Sequence, residues 1–319
     1  MKIRLYLAPI QGITDAVYRN TFTKYFDGFD VAVTPFISTT PQIKRIKQSH
    51  LKDVLPENNI NMPIIPQVMS NSPNDFILLA NRLFDLGYKD INWNLGCPYP
   101  IVAKKKRGSG LLPYPDLIES FLEKTVPVIP NRLSIKTRLG RSGVGEILRL
   151  IPIFNQYPLS EIIIHPRTGK QMYEGETNLD AFRDCLLLSD HPLVYNGDIN
   201  DIDTFRDLSL RFKEVNRWMI GRGTLVNPFL PAMIKIGKDI FPEKIKKIKI
   251  FHDDLFNQYQ RETKSSSRLV ERMKGFWYYF SRSFQDGHQI LKKIHGTEKI
   301  EHYRELVDQY FTTEIKWVA

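Results

Sequence analysis

Asp90-Ile-Asn-Trp-Asn-Leu-Gly-Cys-Pro98 is the stretch on which the reading of this chain turns. Its residues through Trp93 read as a buried strand, and Gly96 and Pro98 end that strand, leaving the Cys97 thiol on a strand-to-loop corner. Seven further β-rich runs, at residues 3–9, 29–36, 63–69, 133–140, 161–168, 192–199 and 217–225, recur at intervals of about thirty residues, the length of a βα unit. Helical patterns such as 75–84 and 116–122 lie between them. Strands alternating with helices imply a parallel sheet, and eight such units imply a closed α/β (β/α)₈ TIM barrel rather than an open doubly wound sheet. No Gly-x-Gly-x-x-Gly follows the first run, which also speaks against the open sheet. In a barrel the corner that carries Cys97 belongs to the catalytic face.

Polar residues gather at the ends of the same runs. Gln11 follows the first, Gln67 lies near the end of the third, and Asn94 with Cys97 ends the fourth. Lys136 and Arg138 come from the fifth, His165 and Arg167 from the sixth, Asn196-Gly197-Asp198 from the seventh and Gly221-Arg222-Gly223 from the eighth. Any one of these is readily a satisfied core or loop residue; packing alone does not account for their shared phase. The chain has two cysteines, so neither a disulfide framework nor a cysteine-based metal site is expected. Cys185, within 180–188, reads as a packed helical residue, and Cys97 as a reactive group. The glycines after the seventh and eighth runs match the usual phosphate site of a barrel, with Arg222 adding a guanidinium. Lys136, on an apolar strand, needs an anionic partner. The electron-rich edge of a reduced flavin would supply one, and a Schiff-base lysine of the aldolase type is the open alternative. Gln67 offers a donor and an acceptor suited to a ring edge.

The chain has 319 residues, 42% of them hydrophobic, and 45 Lys+Arg against 35 Asp+Glu, a net charge of +10 that points to a polyanionic partner. No run approaches the roughly 20 apolar residues of a membrane span, and the start lacks a signal-peptide pattern, so a cytoplasmic protein is expected. Beyond about residue 243 the strand rhythm stops. Leu269, Met273, Phe276, Trp277, Phe280 and Phe284 follow helical spacing, as do Ile300, Tyr303, Leu306, Val307 and Tyr310. The expectation is a barrel over 1–243 and a helical domain over 244–319. The latter holds 15 Lys+Arg and 10 Asp+Glu, about half of the chain's excess charge.

Leu7-Ala-Pro-Ile-Gln-Gly-Ile-Thr-Asp15, Asn94-Leu-Gly-Cys-Pro98, Ser134-Ile-Lys-Thr-Arg-Leu-Gly140, His165-Pro-Arg-Thr-Gly-Lys-Gln-Met-Tyr173, Asn196-Gly-Asp198 and Gly221-Arg-Gly223 together resemble the ordered motif series of the tRNA-dihydrouridine synthases. The resemblance runs from about residue 5 to 230, with a helical tail where that family has one. It implies reduction of a tRNA uridine by NAD(P)H, in the family NADPH, through non-covalently held FMN. The Cys97 thiol would protonate uracil C5 while hydride from flavin N5 reaches C6. Carried over by position, Pro9, Ile10, Gln11, Gln67, Lys136, His165, Asn196, Gly197, Asp198, Gly221 and Arg222 would hold FMN; Asn94 would orient the uracil and Arg167 would lie close to it. The basic loop with Lys104, Lys105, Lys106 and Arg107 would close over the nucleotide. Arg272, Lys274 and Arg282 are the first candidates for gripping the tRNA backbone from the helical domain. The chain is expected to act as a monomer, without metal or membrane. It departs from the family pattern at Gln11, at Pro166 and in the basic loop, with consequences for flavin contacts and substrate choice. The rival readings are a dihydroorotate dehydrogenase-like flavin barrel and a non-catalytic RNA-binding barrel.

Overall fold

In the computed structural model, which describes residues 2–39, 48–263 and 265–319, Pro35 and Pro66 interrupt the second and third β-rich runs. Proline has no N–H to give to a ladder, so the third run becomes two short strands, while the second stops at Val33 and a further short strand starts just past its expected end. The strands are β1 Arg4–Leu7, β2 Val31–Val33, β3 Ile37–Ser38, β4 Ile64–Ile65, β5 Gln67–Met69, β6 Asp90–Leu95, β7 Arg132–Gly140, β8 Ile162–Thr168, β9 Leu193–Tyr195 and β10 Arg217–Ile220. They form one parallel sheet in the order β3-β5-β6-β7-β8-β9-β10-β1-β2-β4. The two ends of that order meet across the prolines: β2 pairs with β4 through Ala32 and Ile64, and β3, just past Pro35, with β5 through Ile37 and Val68. The sheet therefore closes on itself as a barrel. Thr34 Oγ1 bridges the break at Pro66 by accepting from Gln67 N at 3.1 Å. The eighth run is shorter than expected, because Arg222–Val226 is already helical.

The helices cover the barrel in the way their sequences dictate. Pro73–Asp85 starts with Ser72 accepting from Asp75 N, has Pro in its first turn, and buries Phe76, Leu79, Ala80 and Leu83 along one stripe. Strands and helices share one apolar layer, while Tyr6, Val31, Val33, Ile163, Val194 and Met219 fill the barrel interior. At the N-terminal end of the strands Glu161 accepts from the Tyr6 hydroxyl at 2.8 Å and from Arg217 at 2.7 Å, which closes that side. The open side is the other one.

Helices Lys244–Glu262, Ser266–Phe280, Gly287–His295 and Ile300–Thr312 make up the last quarter. Leu269, Met273, Phe276, Trp277, Phe280 and Phe284 are all buried, in one cluster with Leu7, Tyr18, Phe22 and Phe26 from the start of the chain. The Tyr18 and Phe276 rings stack at 5.7 Å. Beside them, Asp15 caps helix Ala16–Tyr25 and also accepts from the Tyr259 hydroxyl at 2.7 Å and from Arg272 at 2.6 Å, with the Arg272 guanidinium 4.2 Å from the Tyr259 ring. Burial pushes the Asp15 carboxyl up, and Arg272 and the Tyr259 hydroxyl oppose that. Arg272, read from sequence as a phosphate contact, is thus committed to a junction, and Lys274 is paired with Glu271 at 2.6 Å. Arg272→Ala is expected to destabilise the chain by about 1–3 kcal/mol by stranding Asp15, or roughly 2–4 °C in Tm per kcal/mol. Calorimetry checks this; an unchanged Tm would reduce the pair to an ordinary surface contact. Among the described residues no helix is long and apolar enough to cross a membrane.

Candidate active site

A cavity of about 550 Å³ opens at the C-terminal ends of the strands, within the range of small-molecule and cofactor sites. Pro9, Ile10, Gln11, Gln67, Asn94, Cys97, Lys136, His165, Asn196, Gly197, Asp198, Gly221, Arg222 and Arg282 all line it, although they are spread over most of the chain. Closure of the barrel brings them to one wall.

Cys97 is held by its backbone. Asn94 Oδ1 accepts from the Cys97 amide at 2.9 Å and the Gly96 amide at 3.1 Å, turning the chain sharply at the end of β6. Asn94 Nδ2 donates to Gln67 Oε1 at 2.7 Å, Gln67 Nε2 to Asn92 Oδ1 at 2.7 Å, and Asn92 Nδ2 to Ser134 Oγ at 2.8 Å. This buried relay crosses β5, β6 and β7 and fixes every amide orientation along it. Each of Gln67 and Asn94 keeps one N–H of its amide for a ligand in the cavity. From the other side, Ser109 donates twice to the Cys97 carbonyl, with N and Oγ both at 3.0 Å. Gly108, at φ +54°, lies so close that a Cβ would stand 2.7 Å from that carbonyl oxygen, so only glycine fits. Burial raises the Cys97 thiol above its ordinary pKa, against the Tyr99 amide and the cations Arg138, Lys136 and Arg141. The resting group is therefore a thiol, and its conjugate thiolate has cations beside it.

The cations sit within the cavity wall, Arg138 and Arg167 buried and Lys136 partly exposed to the cavity. Burial, with Arg138 adding to it, lowers the Lys136 ammonium to about 7, and among the described residues no hydrogen bond or carboxylate holds its Nζ. An anionic ligand is what such a group lacks. Arg138 is tied to the carbonyls of Gly96, Thr168 and Met172. His165 is pushed well below its usual range by burial and by Arg138, Lys136, Arg167 and Arg222, and stays neutral. Arg167 Nη1 faces His165 Nε2 at 3.1 Å. Arginine can only donate, so Nε2 accepts and the ring proton sits on Nδ1.

Arg167 itself departs from expectation. Expected beside the substrate, it is buried and does not line the cavity. Its guanidinium binds the Asp198 carboxylate and the carbonyls of Glu174 and Gly175. The cause is local: β8 gains a residue against β7 between the pairs Arg138–His165 and Gly140–Thr168, and Pro166 sits in that bulge. The irregularity follows His165, and the Arg167 guanidinium, although in contact with His165 Nε2, is taken up by Asp198 and two backbone carbonyls rather than lining the cavity. Asp198, at φ +42°, joins Arg167 to Arg222 at 2.7 Å and so acts through two guanidiniums.

A family model described as Dihydrouridine synthase (Dus) matches residues 6–315. The chain belongs to the dihydrouridine synthase family. It is similar to the probable tRNA-dihydrouridine synthase of Staphylococcus epidermidis, with 26% identity over 313 residues, 95% of this chain and 92% of that one. It is 32% identical to tRNA-dihydrouridine synthase B of Pasteurella multocida over 232 residues, 72% of this chain and 68% of that one. Two solved structures share the fold. A morphinone reductase variant in complex with tetrahydroNAD gives a TM-score of 0.51 at 9% identity, covering 74% of this chain and 87% of that one. A variant of NCR from Zymomonas mobilis gives 0.53 at 12%, covering 76% and 90%.

For a dihydrouridine synthase, four features of the rim matter that the sequence reading left out. Tyr99, Tyr173, Tyr278 and Tyr279 line the cavity mouth, the first three nearly half exposed, and Arg138 and Arg222 lie 5.2 and 5.0 Å from the Tyr173 ring. Tyr173 follows the β8 bulge, while Tyr278 and Tyr279 fall off the buried stripe of their helix. Lys104, Lys105 and Lys106 are exposed outside the cavity, and Arg107 is anchored to Asn71 Oδ1 at 3.0 Å and Thr39 O at 2.9 Å. Among the described residues no three His, Cys, Asp or Glu side chains are grouped to hold a metal ion.

Proposed function

We propose that this chain reduces the C5–C6 double bond of a uridine in tRNA to 5,6-dihydrouridine, with NADPH as reductant and non-covalent FMN as carrier. The observation that carries the reading is the pairing of a protonated Cys97 thiol with the unpartnered Lys136 ammonium in one cavity of a dihydrouridine synthase. The donor set suits FMN: Lys136 for the electron-rich edge of the ring, the spare Gln67 amide N–H for a ring edge, and Arg222 with the amides near Gly221 for the phosphate. The Nδ1–H of a neutral His165 is a further donor. A carboxylate repels phosphate, so Asp198 serves by aiming Arg222.

When bound, FMN supplies the hydride that adds at C6. Cys97 gives its proton to C5, and the thiolate that remains is stabilised by Arg138 and Lys136 until solvent returns a proton. The spare Asn94 N–H holds the uracil while its Oδ1 keeps the Cys97 turn in place. The purified protein is expected to be yellow, and heating should release FMN identifiable by chromatography. FAD, or no flavin after reconstitution with FMN, overturns the cofactor. Mass mapping of tRNA treated with the protein and NADPH reads the product directly.

A further inference from the structure

Helix Ser266–Phe280 sends Phe276, Trp277 and Phe280 into the core, whereas Tyr278 stays 47% exposed at the rim of the cavity. An aromatic ring left half in water beside a binding site is surface held ready for another flat group. The Arg282 guanidinium lies 4.6 Å from its centroid, and Tyr279 stands edge-on to it at 5.0 Å. Unlike Arg272 and Lys274, Arg282 is in no ion pair among the described residues. The end of the helix is tied to the barrel, since Ser283 Oγ donates to the Val226 carbonyl just beyond Arg222. Ring and cation thus lie together at the mouth.

Drawing a nucleotide out of a stack leaves its neighbour with an uncovered face. We propose that Tyr278, backed by Arg282, is a stacking platform for the nucleoside adjoining the uridine that enters the cavity. Arg282 meets that nucleotide's phosphate. This rests on the reading of the cavity as a tRNA uridine site and adds a second contact to it. The ring supplies a π-face to any base, so the contact tolerates sequence.

The test measures equilibrium binding of unmodified tRNA, and of a short single-stranded oligonucleotide with a central uridine, to the FMN-loaded full chain over a range of salt. Tyr278→Ala should weaken both by roughly tenfold with an unchanged salt slope, because no phosphate contact is lost. Tyr278→Phe should bind as the parent does. Arg282→Ala should lower the slope by about one unit. The melting temperature should be the same in all, which separates a lost contact from a folding defect. Parental affinity in Tyr278→Ala, or an equal loss in Tyr278→Phe, would overturn the platform. If the parent protein makes dihydrouridine and Tyr278→Ala is unaffected, only the platform fails; if the parent makes none, the underlying reading fails with it.

Discussion

Cys97→Ala is expected to bind FMN and oxidise NADPH like the parent, yet to form dihydrouridine about 10²–10⁴-fold more slowly, the usual worth of a placed general acid. The geometry makes this a clean deletion. Asn94 and Ser109 hold residue 97 through its backbone, so the turn survives loss of the sulfur. The pH profile gives a second reading. Burial raises the thiol, so its proton is retained through neutral pH and is lost only above the ordinary value of about 8.5. Turnover should fall on the alkaline side in the parent, and that limb should vanish in Cys97→Ala. Near-parental turnover in the variant would reject the role.

Removing the half-buried charge at Lys136 should stabilise the flavin-free protein. Its folded pKa of about 7 lies below the ordinary 10.5, so between those values the unfolded chain binds a proton that the folded chain does not. Stability contributed by this group therefore rises with pH across that window, by up to about 1.4 kcal/mol per unit. Below pH 7 both states are charged and the folded state bears the full cost of burial. Water entering the cavity reduces that cost, so the slope is a ceiling. Lys136→Met should raise the urea midpoint most at pH 6, and the two proteins should converge towards pH 10. The same substitution should weaken FMN binding by an order of magnitude or more, since a charged hydrogen bond is worth about 1.5–3 kcal/mol. A Met variant less stable than the parent at every pH would mean that the ammonium is already paired in the fold.

The barrel was legible because eight apolar runs at a regular interval leave few other closed arrangements. Pro35 and Pro66 were in plain view as well, yet their effect depends on which neighbours the broken ladders find. Strand-end phase brought Gln67, Asn94, Lys136 and His165 to one wall. Phase alone did not show that the Arg167 guanidinium would be taken up by Asp198 and the carbonyls of Glu174 and Gly175 instead of lining the cavity. Charge counting over 244–319 could not separate Arg272, which pairs with Asp15 some 257 positions away, from Arg282, which is left open at the mouth. Long-range pairing of that kind leaves no local mark. Tyr278 did leave one, by falling outside the buried helical stripe.

The cluster that joins Tyr18 and Phe22 to Phe276, Trp277 and Tyr303 also sets an order in time. The first helix leaves the ribosome early and has its packing partners in the last quarter of the chain, while β1 waits for β10 across more than two hundred residues. Contacts of such separation form late and slowly. A nascent chain that has already made Cys97 and Lys136 consequently has no cavity to put them in, and it carries bare aromatic surface until the final helices emerge. The aggregation-prone interval during synthesis is thus set by where the Tyr18 ring has to go.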